Sequence, residues 1–164
     1  MSDHEAENTV PVDEVISALE DYQRRTIELY RAHPGDPEGC VKQLVRLHLS
    51  WTEEDPERAK LVARHRNAVM AGPGRDRLTE SNAAYFGESK RWMEESVEAG
   101  AMPPVSFNVL HALVFAPTQE LAKLWLGGRL RKDPTAYAEQ MGEAAWAGVL
   151  AAGASSRDHR PRKD

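Results

Sequence analysis

One cysteine is all this 164-residue chain holds, and that scarcity removes a class of folds at once. Cys40 has no partner for an internal disulfide, so the fold cannot be a cross-linked framework, and the count fits a reducing cytoplasm. Long apolar runs are also missing. Nothing approaches the roughly 20 residues of a membrane span, and the acidic start has no signal-peptide pattern, so no membrane partner is expected. Nor is there a surplus of positive charge: 26 Asp and Glu against 21 Lys and Arg leave a formal net charge of −5. A general electrostatic attraction to nucleic acid is therefore not expected. No segment alternates convincingly with period two, which argues against a sheet. No glycine-rich phosphate loop follows a strand, and no nucleophile stands with a base and an orienting group. His48, His65 and His111 fall on separate segments, with no pair at metal-ligand spacing. No catalytic residue, metal or cofactor is expected, and the chain reads as a non-enzyme.

Helical periodicity is what the chain has in abundance. Residues 1–11 read as a disordered acidic leader and 154–164 as a disordered tail, leaving one domain over 12–153. Its length suggests a core burying roughly 70% of the unfolded surface. Three Asp-Pro steps, Asp36-Pro37, Asp55-Pro56 and Asp133-Pro134, each offer a capping carboxylate followed by a proline at the first helical position. They place helix starts at Pro37, Pro56 and Pro134. Further helices are expected from Val12 to His33, from Asp76 to Glu98, and within the stretch from Pro104 to Arg129. The class is all-α, a six-helix bundle.

The segment from Pro104 to Arg129 is apolar on more than one side. Phe107, Leu110, His111, Val114, Pro117, Thr118, Leu121 and Trp125 recur at three- and four-residue steps, while Leu113, Phe115, Leu124 and Leu126 lie off that stripe. Such a helix needs cover from two directions. Pro117 removes a backbone donor in its middle and predicts a bend. The helix after it, to about Ala152, carries a stripe of Tyr137, Met141, Ala144, Ala145, Gly148 and Ala152. Those small residues allow close approach of another helix.

The order of these pieces resembles the regulatory domain of the TetR family of transcriptional regulators. The carriers are Asp36-Pro37-Glu38-Gly39, then Trp51 through Asp55-Pro56-Glu57-Arg58-Ala59, the run from Ala116-Pro117-Thr118-Gln119-Glu120 to Gly127-Gly128-Arg129, and Ala144-Ala145-Trp146. The resemblance implies a small-molecule sensor whose last two long helices pair with a second copy as a four-helix bundle. It also implies an apolar pocket among the preceding helices. The family's helix-turn-helix has no counterpart before Val12, so no direct nucleic-acid contact is expected of this stretch. A modulator that heterodimerises with a full-length family member, or a start site further upstream, are the alternatives.

For the pocket, the aromatic and polar residues on inward stripes are His48, Trp51, Met70, Tyr85, Trp92, Phe107, His111 and Phe115, suited to a small apolar or aromatic ligand. Trp51, Tyr85 and Trp92 are expected as walls, with His48 or His111 supplying a hydrogen bond. For a homodimer interface the candidates are Leu121, Trp125, Met141, Ala145 and Gly148. Pro117 is expected to divide its helix, with Phe107 and His111 toward the pocket and Leu121, Leu124 and Trp125 toward the partner.

Overall fold

A computed structural model describes residues 9–158. Among them there are six α-helices and no strand: α1 (Val12–Ala32), α2 (Pro37–Glu54), α3 (Pro56–Ala71), α4 (Arg75–Glu98), α5 (Phe107–Leu126) and α6 (Ala138–Asp158). A 3-10 turn, Pro134–Tyr137, leads into α6. The expected all-α class is the one observed. Among the described residues no helix is long and apolar enough to cross a membrane.

Helix α2 is the central element, packed against α1, α3, α5 and α6. Cys40, Val41, Leu44, Val45 and Leu49 are at most 2% exposed. Their i, i+4 spacing puts them on the side that meets α5 and α6, and each large apolar side chain there is worth roughly 1.5–3 kcal/mol of burial. The main core continues through Leu110, Val114 and Phe115 of α5 to Ala145, Trp146 and Val149 of α6. A smaller core of Val15, Ile16, Leu19, Val69 and Leu78 joins α1 to α3 and α4. Gln23 is buried on α1, but its amide donates to Asn82 Oδ1 at 2.8 Å and its carbonyl accepts from Ser81, both on α4. A buried amide so satisfied ties the two helices in register.

Two of the three Asp-Pro steps cap as expected. The Asp36 carboxylate accepts from Gly39 N and the Asp55 carboxylate from Arg58 N. At the third, Asp133 makes no side-chain cap and Pro134 opens the 3-10 turn instead of an α-helix. There the Thr135 N–H donates to Glu53 Oε2 at the end of α2, so a distant carboxylate does the work of the local one. After Leu126 the double glycine ends α5: Gly128 has φ 72°, its N–H donates to Trp125 O, and Arg129 N–H donates to Leu124 O. That closing pattern needs a left-handed residue, which glycine supplies without strain.

The other end of the chain departs from the expected boundary. Residues 154–158 continue α6 as helix and do not form a disordered tail, while residues 159–164 and 1–8 lie outside the described residues. Gly153 is buried, and a Cβ there would sit 2.4 Å from the Pro103 ring. The close approach of the segment before α5 therefore holds this last turn in place. Gly148 also marks a close approach, as its small size predicts, but against Leu113 of the same chain, whose side chain a Cβ there would meet at 3.2 Å.

Candidate functional site

A cavity of about 350 Å³ with largely apolar walls lies between α1, α2, α3 and the second half of α5. Its floor is Leu19 and Tyr22 of α1 with His48, Trp51 and Thr52 of α2. Ala59, Val62 and Ala63 of α3 form one wall and Ala122 and Leu126 of α5 the opposite one. Arg66, Asn67, Gln119 and Lys123 supply polar groups along the same lining. A size of this order, with apolar walls and a few fixed polar groups, is what small-molecule sites have.

Local geometry fixes the floor. Tyr22 stands edge-on to both His48 and Trp51, with ring centroids 5.5 Å away in each case. His48 Nδ1 and Tyr22 Oη are 3.0 Å apart, which leaves His48 Nε2 free of any protein partner among the described residues. Burial pushes the His48 imidazole down to about 4, so it is neutral at pH 7. A neutral ring held by Tyr22 offers Nε2 as one hydrogen-bonding group on an otherwise apolar floor. The Trp51 indole N–H donates to Asp21 Oδ2 at 3.3 Å. The Arg58 guanidinium lies 4.4 Å over the Trp51 ring and donates to the Trp51 carbonyl oxygen. Trp51 is thus clamped from behind and presents the cavity with a fixed apolar surface.

Of the eight expected ligand residues, His48 and Trp51 line this cavity. Trp92, Phe107, His111 and Phe115 do come together, with Tyr30, Leu44, Ser89, Leu110 and Val114, around a second interior space between α4 and α5. That space is only about 10 Å³, room for roughly one water molecule. His111 sits 4.7 Å from the Phe115 ring and 5.9 Å from Phe107, while Phe86 of α4 packs against both Phe107 and His111. Trp92 stacks on Tyr30 at 4.9 Å. These rings fill the space between the helices and form core. Tyr85 faces an open groove between α1 and α4, shared with Gln23 and Ser81. Met70 is 37% exposed on α3, where its neighbour Val69 takes the buried position; it lines neither interior space.

The cavity lies along a different part of α5 from the one expected. The first half of α5, with Phe107 and His111, belongs to the filled cluster, and its second half carries the cavity residues Gln119, Ala122, Lys123 and Leu126. Pro117 itself is exposed, not part of the buried stripe. The Leu113 carbonyl, which loses its partner to the proline, therefore lies on the side open to water. Of the expected interface residues, Ala145 is buried within the chain, Gly148 meets Leu113, and Leu121, Trp125 and Met141 are half-buried.

Sequence pattern does not single out Tyr22, Arg66, Gln119 or Lys123 as site residues. Tyr22 falls one position off the apolar stripe of α1, and the other three look like ordinary solvent-facing residues. Among the described residues no group of three or more His, Cys, Asp or Glu is placed to hold a metal ion. The chain matches no model of a known protein family, and no curated protein matches it.

Proposed function

We propose that this chain is a TetR-like regulatory domain: a homodimeric sensor of a small apolar or aromatic molecule, acting by binding and not by catalysis. The observation that carries the reading is the cavity between α1, α2, α3 and α5. It has a rigid floor of Tyr22, His48 and Trp51, a neutral imidazole with one free nitrogen, and alanines where larger side chains would have closed it. Dimerisation draws support from apolar side chains that the single chain leaves in water on its last two long helices. Val109 of α5 is 42% exposed and Leu150 of α6 is 46% exposed, with Leu121, Leu124, Trp125 and Met141 half-buried. Pairing of α5 and α6 with those of a second copy would cover them.

Thermal-shift measurement against a panel of small aromatic and aliphatic compounds tests the sensor reading. A ligand at 100 times its Kd stabilises the folded state by about 2.7 kcal/mol, which for a chain of this size raises Tm by roughly 5–10 °C. The reading stands if such a compound is found and a bulky side chain in the cavity, Ala63→Trp, removes the shift. A panel without any shift, or a shift that survives Ala63→Trp, refutes it.

A further inference from the structure

The charges around the cavity are distributed unlike those elsewhere on the surface. Its lining contains two cations, Arg66 of α3 and Lys123 of α5, and no Asp or Glu. The chain as a whole has more acids than bases, and its other sizeable grooves mix the two. Glu20 and Glu28 accompany Arg24 and Arg77 between α1 and α4, Glu88 and Glu95 face Arg31 and Arg91, and Asp21 and Asp55 stand beside Arg58. Arg66, like Arg46, Arg64 and Arg75, takes part in none of the ion pairs among the described residues, whereas Arg24, Arg25, Arg58, Arg77 and Arg91 are each paired. Lys123 has only Glu120 on its own helix, at 4.0 Å between largely exposed groups, a contact of little strength.

Arg66 is exposed and lines the cavity from the α3 side. The neighbouring amides of Asn67 and Gln119 add neutral donors to the same lining.

We propose that the molecule this cavity takes carries an acid group: an amphipathic monocarboxylate whose apolar body lies on Trp51, Val62 and Leu126 and whose carboxylate is met by Arg66 and Lys123. The inference rests on the cavity reading above and sharpens it to one ligand class. A volume of about 350 Å³ lies at the small end of the roughly 300–1,000 Å³ of ligand sites. That is enough for one ring and a short acid-bearing chain. The guanidinium suits this role because its planar fork matches a carboxylate with two parallel hydrogen bonds. A neutral ligand would bring no counter-charge to a lining that contains no Asp or Glu of its own.

The test compares 4-phenylbutyrate with its neutral isostere 4-phenylbutyramide by titration calorimetry, on the native chain and on Arg66→Gln, Lys123→Gln and Ala63→Trp. Arg66, Lys123 and Ala63 are exposed, so these variants are expected to fold, and their melting curves check it. Acid binding should exceed amide binding by about tenfold or more, the discrimination a charge-assisted hydrogen bond provides. Arg66→Gln should erase most of that preference while leaving the amide unaffected, and Ala63→Trp should abolish both. If acid and amide bind equally well and Arg66→Gln changes neither, the acid-group inference is overturned while the cavity reading survives. If neither compound binds, or Ala63→Trp leaves both unaffected, the inference falls together with the cavity reading.

Discussion

His48 gives the sharpest quantitative test of the floor of the cavity. Its imidazole is held neutral by burial, with a pKa moved from the ordinary 6.5 to about 4. The folded state therefore resists a proton that the unfolded chain accepts freely. Between those two values the unfolded state binds more protons, so stability falls as pH is lowered through that window. The loss begins near pH 6.5, grows to about pH 4, and is complete below it. Taking the pKa values of 6.5 and about 4, lowering the pH from 7 to 5 should remove about 2 kcal/mol of stability through this one residue. His111, whose pKa is lowered by burial and then by Arg66, acts in the same direction. Asp21 does not contribute in this range, because its lowered carboxyl pKa makes its effect felt only at more acid pH.

The perturbation is His48→Gln, which removes the titrating group and keeps an amide near Tyr22. Urea unfolding of both proteins at pH 7, 6 and 5, followed by tryptophan fluorescence, gives the two slopes. The variant will be less stable at neutral pH, since Tyr22 loses its imidazole partner. The difference in slope, not the absolute stability, isolates His48: the native chain should lose about 2 kcal/mol more than the variant over the range. Equal slopes would refute the argument, as would an NMR titration that found the His48 ring protonating near 6.5 in the folded chain.

Four other positions give shorter tests. Gly87 is exposed in the middle of α4 with nothing within 4 Å of where an alanine methyl would stand, so Gly87→Ala should add about 0.8–1 kcal/mol in denaturant unfolding. Gly74→Ala should do the opposite, by about 1–3 kcal/mol, because its Cβ would lie 2.6–2.9 Å from Val69, Val12 and Ile16. Burial, then the Asp36 charge, pushes the Cys40 thiol up to about 12, so a thiol reagent at pH 8 should label it at the rate of unfolding and not before. Trp125→Glu should convert the proposed dimer to monomer in light scattering, and a variant that remained dimeric would move the interface off this part of α5.

Most of the bundle was legible because its signals are local. A carboxylate three residues before a free N–H, a proline that cannot continue a helix, and a glycine that can turn left-handed each act within a few residues of themselves. They placed the starts of α2 and α3 and the end of α5. The misses are non-local. Glu53 accepts from the Thr135 N–H, 82 positions away, where Asp133 was expected to cap, and Pro103 supports the final turn of α6 against Gly153. Neither pairing leaves a mark in the sequence around the residue it affects.

The cavity shows a deeper reason. Choosing pocket candidates by aromatic character selects the side chains best able to fill space, and Trp92, Phe107, His111 and Phe115 do fill it, leaving about 10 Å³ between them. A cavity is instead a place where side chains are too small to meet. Here Ala59 and Ala63 face Ala122 across about 350 Å³. Trp51 is the exception that explains the rule. Asp21 and Arg58 hold its ring from the far side, so it borders the space instead of collapsing into it. The informative pattern in the sequence was therefore the pair of buried alanines, Ala59 of α3 and Ala122 of α5, together with one aromatic whose polar edge was already engaged elsewhere. By the same logic the second half of α5 is where variation of side-chain size should retune ligand shape, and Ala122, buried at 4% exposure on the cavity wall, is the position where each added methylene subtracts most directly from the space available.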